Sequence, residues 1–158
     1  MGKAQKFTAS YAGRVVGTRS SKTMTYAFAI VAQHNEAKAR KAAYEFADND
    51  HERRHFDYMV ACANGTHAHS QWASGLGRGM TVGERYAAEL AEFGGTCEGY
   101  IAKRRGEMIA HFESNLAAGH FEPHVAAWSQ TRHNAEKAAG QLANNGHNVL
   151  AIVPAVPV

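Results

Sequence analysis

The chain lacks several features that define whole classes of protein. Its two cysteines, Cys62 and Cys97, are isolated and form no C-x-x-C pair, which favours a reducing compartment; a single disulfide between them stays open. The longest apolar run near the N-terminus, YAFAIVA, is far too short to span a bilayer. The opening MGKAQKFTAS holds no apolar signal core. We therefore expect a soluble, cytoplasmic protein with no membrane partner.

The common catalytic and nucleotide-binding patterns are also missing. The segment GLGRGMTVGE has no Lys-Ser/Thr pair of a phosphate-binding loop and no strand clearly leads into it, so residues 75–83 are predicted to be a mobile surface loop of undefined role. No Ser-His-Asp or Cys-His set can be inferred, because a sequence does not show which of these side chains meet. The sequence thus predicts no cofactor and no catalytic residue, and it favours a binding protein over an enzyme.

One metal-binding pattern is present, the H-E-x-x-H motif HERRH. On a helix, His51 and His55 would share a face and could bind zinc while Glu52 served as general base. Two arginines fill this motif, no H-x-x-G-x-x-H extension follows, and nothing singles out Glu84 or Glu89 as a third ligand. We predict no zinc here and interpret the segment as an exposed, charged helix. A small zinc-dependent hydrolase is the alternative.

Size and charge indicate a globular protein with two electrostatically different parts. A length of 158 residues, with 45% hydrophobic and 20% charged residues, fits a single domain over 1–158. The formal charge is +6 over residues 1–47, −4 over 48–102 and +1 over 103–158. This distribution predicts a basic front and an acidic middle, and it argues against a uniformly basic nucleic-acid binder.

The hydrophobic pattern predicts an α/β fold that begins with a β-hairpin. Apolar and polar residues alternate over 7–17 and over 23–33, and the polar TRSSK between them reads as the turn. A helical middle is predicted as an insertion at about 48–118. A C-terminal β-α-β segment then closes a mixed sheet. Its last strand, NVLAIVPAV, is apolar on both faces and is therefore expected to be central.

The helices are predicted from strong helix formers and from capping residues. Asn35 is a plausible N-cap for EAKARKAAYEFA, and HERRHFDYMVACA follows as a second helix. The Thr81–Glu84 pair forms a capping box that opens a third helix, which Gly94 and Gly95 end. A fourth helix is predicted over about 97–117.

Two segments of the chain resemble each other. AIVAQHNEAKARKA, residues 29–42, and AWSQTRHNAEKAAG, residues 127–140, align at an offset of 99, which pairs His34 with His133 and Asn35 with Asn134. Two independent β-to-α junctions that both use asparagine as a helix cap would produce this similarity. A duplicated β–α half is the alternative.

The stretch TRSSKTMTYAFAIV, together with NAEKAA and the closing VLAIVPAVPV, resembles small accessory proteins of bacteriophages and other mobile elements. In those proteins a T-R-x-S…T-Y-x-x-A strand precedes a C-terminal helix and a strand that ends V-P-V. The resemblance covers about half of the chain. Most such proteins have no assigned activity, so it implies a cellular setting, the host cytoplasm, and contributes no catalytic residue. The long helical middle departs from the pattern.

The basic hairpin is the strongest functional feature of the sequence. Arg14, Arg19 and Lys22 lie on or beside the first predicted turn, with Tyr11 and Tyr26 interleaved. Such a surface could hold phosphates and stack bases, or it could bind an acidic surface of a host protein. A second basic group, on the fourth predicted helix, comprises Lys103, Arg104 and Arg105. We predict an acidic macromolecular partner, either nucleic acid or protein, and leave self-association open.

Overall fold

The computed structural model describes residues 2–75 and 79–158, and it confirms the mixed α/β class. Three residues of the glycine-rich segment, 76–78, lie outside the described part, and so does that portion of the loop predicted over 75–83; Val82 and Gly83 already belong to a helix. The strands and helices follow one another along the chain as β1 (Gln5–Tyr11), β2 (Arg14–Ser21), β3 (Phe28–Gln33), α1 (Glu36–Tyr44), α2 (Asp50–Ala63), a short 3-10 helix (Ala68–Gln71), α3 (Val82–Glu92), α4 (Cys97–Ala117), β4 (His124–Ser129), α5 (Arg132–Asn144), β5 (Asn148–Pro154) and β6 (Val156–Pro157).

The chain divides into two compact units. Unit 1 consists of Met1–Ala37 and Asn115–Val158, and it holds the six strands found in the described residues; unit 2 is Lys38–Ser114 and is helical. The helical insertion expected at about 48–118 thus corresponds to the region of unit 2, and the single domain over 1–158 stays a prediction. No helix in the described part of the chain is long and apolar enough to cross a membrane.

The first sheet of unit 1 has the order β2-β1-β6, and every pairing in it is antiparallel. The predicted hairpin between 7–17 and 23–33 is wrong. The chain turns back at Ala12 and Gly13, which both have positive φ (49° and 78°), so the first predicted strand is itself a hairpin and TRSSK belongs mostly to β2. Two positive φ angles match the two-residue turn whose twist suits a hairpin.

The second sheet of unit 1 has the order β4-β3-β5 and is also antiparallel. The prediction of one mixed sheet with the last strand at its centre is therefore wrong in its topology. The central strand is β3, whose residues Ala29–Ala32 are fully buried, and β5 is an edge strand of half-buried residues. Both strands are apolar on both faces, so composition alone did not separate the central strand from the edge strand.

Unit 2 is built from α2, α3 and α4 around buried Met59, Tyr100 and Ile101. The predicted capping box is confirmed on its serine/threonine side, because the Thr81 hydroxyl accepts a hydrogen bond from the Glu84 backbone N–H at 3.2 Å. The fourth helix occupies Cys97–Ala117, as predicted. Both cysteines are free thiols, Cys62 buried and Cys97 half-buried, and burial raises the pKa of the Cys97 thiol.

The two similar segments are not equivalent at the offset that their sequences suggest. β3 begins at residue 28 and β4 at 124, and α1 begins at 36 and α5 at 132, an offset of 96 in both cases. The cap of α5 is Thr131, whose hydroxyl accepts from the Asn134 backbone N–H at 3.2 Å, so Asn134 lies inside the helix. The prediction that Asn134 caps this helix is wrong, because a hydroxyl three residues earlier satisfies the first-turn N–H groups.

Candidate functional site

The predicted basic hairpin lies along β2 at the edge of the first sheet. Arg14 begins the strand, Arg19 lies near its end and Lys22 follows it, and all three are exposed. Within the described residues, none of the three takes part in an ion pair. Their charges are therefore free to meet a partner.

The register of the hairpin fixes the face on which each cation lies. Arg19 is opposite Phe7 and Arg14 is opposite Tyr11, so both arginines share the face of β1 that points to the core. A single unbroken strand over 7–17, as predicted from the sequence, would instead have put Arg14 on the face opposite Phe7 and Tyr11. The register shift opposite Ala9 and Ser10 changes the phase of β2 at this point.

Aromatic and apolar groups accompany these cations. The Arg19 guanidinium lies 5.0 Å from the centre of the Tyr26 ring, a distance at which a cation is attracted to the face of an aromatic ring. Val15 is 60% exposed, and it pairs with Ser10 on the outer face. A cavity of about 270 Å³ beside the turn is lined by Tyr11, Arg14, Val15 and other residues of the turn, and by Glu122 and Pro123.

The second predicted basic group, on α4, is engaged in contacts inside unit 2. Lys103 forms ion pairs with Glu92 and Glu107, at 3.5 and 3.9 Å. Arg104 pairs with Glu107 at 3.1 Å and lies 3.6 Å from Glu52. The Arg105 Nε donates a hydrogen bond to the Phe46 carbonyl at 2.8 Å. These three cations already have partners within unit 2, so an acidic partner would have to compete with those contacts. Their role in binding stays a prediction.

The HERRH motif lies in the first turns of α2, which Asn49 caps through a hydrogen bond from the Glu52 N–H at 3.0 Å. Glu52 is only 8% exposed, and its carboxylate accepts a hydrogen bond from the Tyr100 hydroxyl at 2.7 Å. The sequence interpretation of this motif as an exposed helix is therefore wrong at Glu52, whose side chain is buried. Its glutamate ties α2 to α4, and burial of such a carboxylate is tolerated because it has a hydroxyl donor and a cation beside it.

A polar cavity of about 410 Å³ lies in unit 2 beside this motif. His51, Glu52 and His55 all line it, and so does Glu89, one of the two third ligands considered from the sequence. Within the described residues, however, no group of three His, Cys, Asp or Glu side chains is arranged to hold a metal ion. Glu89 is also paired with Arg85 at 3.1 Å. The absence of zinc at this motif stays a prediction.

Replacing Tyr100 by phenylalanine is expected to destabilise the protein by about 1–2 kcal/mol, because the buried Glu52 carboxylate loses its hydroxyl donor. The measurement is urea denaturation. Tyr86→Phe is the matched control in the same unit, since the Tyr86 hydroxyl has no hydrogen-bond partner among the described residues, and it should change stability by less than about 0.5 kcal/mol. Equal effects of the two changes would contradict a structural role for the Tyr100–Glu52 bond.

The same pair predicts a loss of stability in alkali. Burial and the hydrogen bond to Glu52 raise the pKa of Tyr100 above its ordinary value. The unfolded chain therefore releases this proton more readily than the folded protein does, so this contribution to stability is present below about pH 10 and is lost as the pH rises further. The test compares urea denaturation midpoints of the wild type and Tyr100→Phe from pH 8 to 11. The two proteins share all other tyrosines, so their midpoints should converge as the pH rises.

Sequence reasoning missed a group of four histidines in unit 1, named here the histidine cluster. The ring of His34 lies 4.3 Å from that of His120, 5.0 Å from that of His124 and 5.4 Å from that of His147, centre to centre. The topology of the second sheet explains why these four histidines lie close together. β3 is antiparallel to both neighbours, so the residue after its end lies beside the start of β4 and of β5. The sequence showed only that histidines flank all three strands.

Comparison with known proteins adds no relative to this description. No family model matches the chain, no curated protein matches it, and no solved structure is significantly similar to it.

Proposed function

We propose that this chain is a binding protein that holds an extended, acidic segment of a partner protein along the free edge of β2. One observation carries the proposal: β2 is an edge strand whose cations, Arg14, Arg19 and Lys22, are exposed and without ion pairs among the described residues. A surface of this kind offers both backbone hydrogen-bonding groups and positive charge.

The backbone of β2 provides the first part of the recognition. Within the described chain β2 pairs only with β1, so the N–H and C=O groups on its outer side have no strand partner. An unpaired edge is a template for another strand, and proteins bind extended peptides by adding them to such an edge. The main-chain hydrogen bonds then give affinity, whereas the side chains select the peptide.

The side chains of β2 provide the second part. In an added strand, residues alternate between the two faces of the sheet, and those on the core-facing side would lie beside Arg14 and Arg19. Glutamate or aspartate at these positions is complementary, and an apolar residue on the other side would lie beside Val15, which is 60% exposed. Complementary charge of this kind mainly speeds association and rejects wrong partners.

The sequence resemblance to accessory proteins of phages and other mobile elements supports a protein partner supplied by a host cell. In such a setting a small protein can act by binding to a host protein, without catalytic activity. The formal charge of +6 over residues 1–47 is consistent with an acidic target.

A charge-reversal experiment tests the proposal. The probe is a short labelled peptide of alternating glutamate and valine, and binding is followed by fluorescence anisotropy. Replacing Arg14, Arg19 and Lys22 together by glutamate should weaken binding by at least about tenfold, since each direct charge pair contributes up to about 1 kcal/mol and its reversal adds repulsion. The melting temperature should hardly change, because exposed charges contribute little to folding.

The control variant reverses Lys38, Lys41 and Lys137, which are exposed helix residues, and thus changes net charge equally. It should bind the peptide nearly as the wild type does. Full-strength binding by the β2 variant would contradict the proposal. A single-stranded oligonucleotide that binds more tightly than the peptide, with affinity falling steeply as salt rises, would replace the protein partner by nucleic acid.

A further inference from the structure

We propose that the histidine cluster binds a late first-row transition-metal cation, of the Zn²⁺ or Ni²⁺ kind, through His34, His124 and His147. Three chain segments that are far apart in sequence deliver these imidazoles to one end of the second sheet. Imidazole nitrogen is a preferred ligand of these cations, whereas Ca²⁺ and Mg²⁺ prefer oxygen.

The hydrogen bonding of His124 leaves one nitrogen available to a metal. Its Nδ1 lies 3.2 Å from the Glu122 carbonyl oxygen, and a carbonyl can only accept, so this nitrogen carries the proton and donates. The lone pair is then on Nε2. A backbone carbonyl that fixes the tautomer in this way is a frequent outer partner of metal-binding histidines.

His147 provides an independent indication of a ligand. Its Nδ1 is buried and has no hydrogen-bond partner among the described residues. A buried polar atom without a partner is costly, and each such atom in a folded protein calls for an explanation. Coordination to a cation would satisfy this nitrogen.

His34 is the ring that the other three approach, at 4.3, 5.0 and 5.4 Å between ring centres. A cation held by histidines of the cluster would therefore lie beside His34.

The segment that carries His124 is fastened to the end of β3. The Gln33 side-chain amide donates a hydrogen bond to the Phe121 carbonyl at 2.8 Å, which holds the chain between His120 and His124 against the strand that leads to His34. The histidines are therefore brought together by backbone structure, not by chance side-chain contact.

The rings must turn to reach one ion. His34 and His120 are stacked with their planes 5° apart, and no three ligands among the described residues are arranged as a finished coordination site. Lone pairs that lie in parallel planes do not converge on one ion, so His120 is not counted among the ligands; the planes of His34 and His124 are inclined to each other by 21°. The terminal torsion of histidine is broad, and a rotation about Cβ–Cγ redirects a ring nitrogen without moving the backbone.

Calorimetric titration with Zn²⁺ and with Ni²⁺ tests the site, using chelator-stripped protein that carries no affinity tag. We expect one ion per chain. His34→Gln and His147→Gln should each weaken binding by about tenfold or more. Co²⁺ serves as the spectroscopic probe, because visible absorption that appears in the wild type and is lost in these variants reports nitrogen ligation at the cluster.

Two controls separate this site from other histidines. His133→Gln removes an exposed imidazole of α5, and the double change His51→Gln, His55→Gln removes the pair of the HERRH motif. Both should bind the ion as the wild type does. An ion that survives His34→Gln and His147→Gln, or one that is lost in the HERRH variant alone, would overturn the proposal. So would protein that takes up no ion at all.

Discussion

A chain that ends at His147 is expected to lose the folded structure of unit 1 completely. The deletion removes β5, which pairs with β3 from Gln33 to Phe28, and β6, which pairs with β1. It also breaks two backbone hydrogen bonds of 2.9 Å, from Ala155 to Ala27 and from Val158 to Lys6. One side of β3, whose residues Ala29–Ala32 are fully buried, would become an open edge. This loss is large because typical domains have only about 5–15 kcal/mol of stability.

Trp128 reports this outcome, because it packs against the core group of Phe7, Tyr26 and Ala155. In a Trp72→Phe background, the wild-type length should show a cooperative thermal transition in tryptophan fluorescence, and the truncated chain should show none. A chain lacking only residues 156–158 is the matched control; it keeps β5 and should melt cooperatively at a lower temperature. Cooperative melting of the longer truncation would show that β5 is dispensable.

The second large effect is a difference between two glycines of one helix. Gly99→Ala is expected to destabilise the protein by about 3 kcal/mol, the upper end of what overpacking costs. A Cβ at Gly99 would collide with the Phe93 carbonyl oxygen and lie 3.1 Å from the Thr96 hydroxyl. These atoms belong to the tight connection from α3 to α4, in which Gly94 and Gly95 both adopt positive φ.

Gly106→Ala in the same helix should instead stabilise the protein by about 0.5–1 kcal/mol, because alanine loses less conformational entropy in a helix and nothing lies within 4 Å of its Cβ. Chemical denaturation of both variants measures the two changes in the free energy of unfolding, which should have opposite signs. Two stabilising changes would mean that the Phe93 carbonyl does not approach Gly99 closely.

The sequence predicted the helices well because their signals are local. Strong helix formers, the Thr81 hydroxyl and the Gly94-Gly95 pair all act within a few residues, and the helices of unit 2 lie where these signals place them. The α/β class followed from the same kind of evidence. Strand pairing was predicted less well, because it depends on contacts between distant segments.

The first hairpin shows this difference. Its turn, Ala12-Gly13, lacks the Asn-Gly or Asp-Gly pair that marks such turns, and Ala12 is a non-glycine residue with φ 49°. The alternation of FTASYAGRVVG also continues through the turn, so it imitates one long strand. Only the pairing of Tyr11 with Arg14 reveals two strands.

The candidate sites also differ in whether their residues are close together in the sequence. Arg14, Arg19 and Lys22 could be selected from the sequence because they are close together in the chain. The partner of Glu52, Tyr100, is 48 residues away, and the histidine cluster joins three separate segments of the chain. Neither could be found without the topology, since no local pattern relates these residues.

Amide hydrogen exchange along β2 tests the central claim, that an acidic segment adds to the edge of this strand. Exchange is measured residue by residue over Arg14–Ser21 with and without the alternating glutamate–valine peptide. We expect slower exchange at every second amide of β2, because only alternate N–H groups of a strand point to the added neighbour. Peptide that binds with the exchange of β2 unchanged, or with protection on the α4 face of Lys103, Arg104 and Arg105 instead, would contradict it.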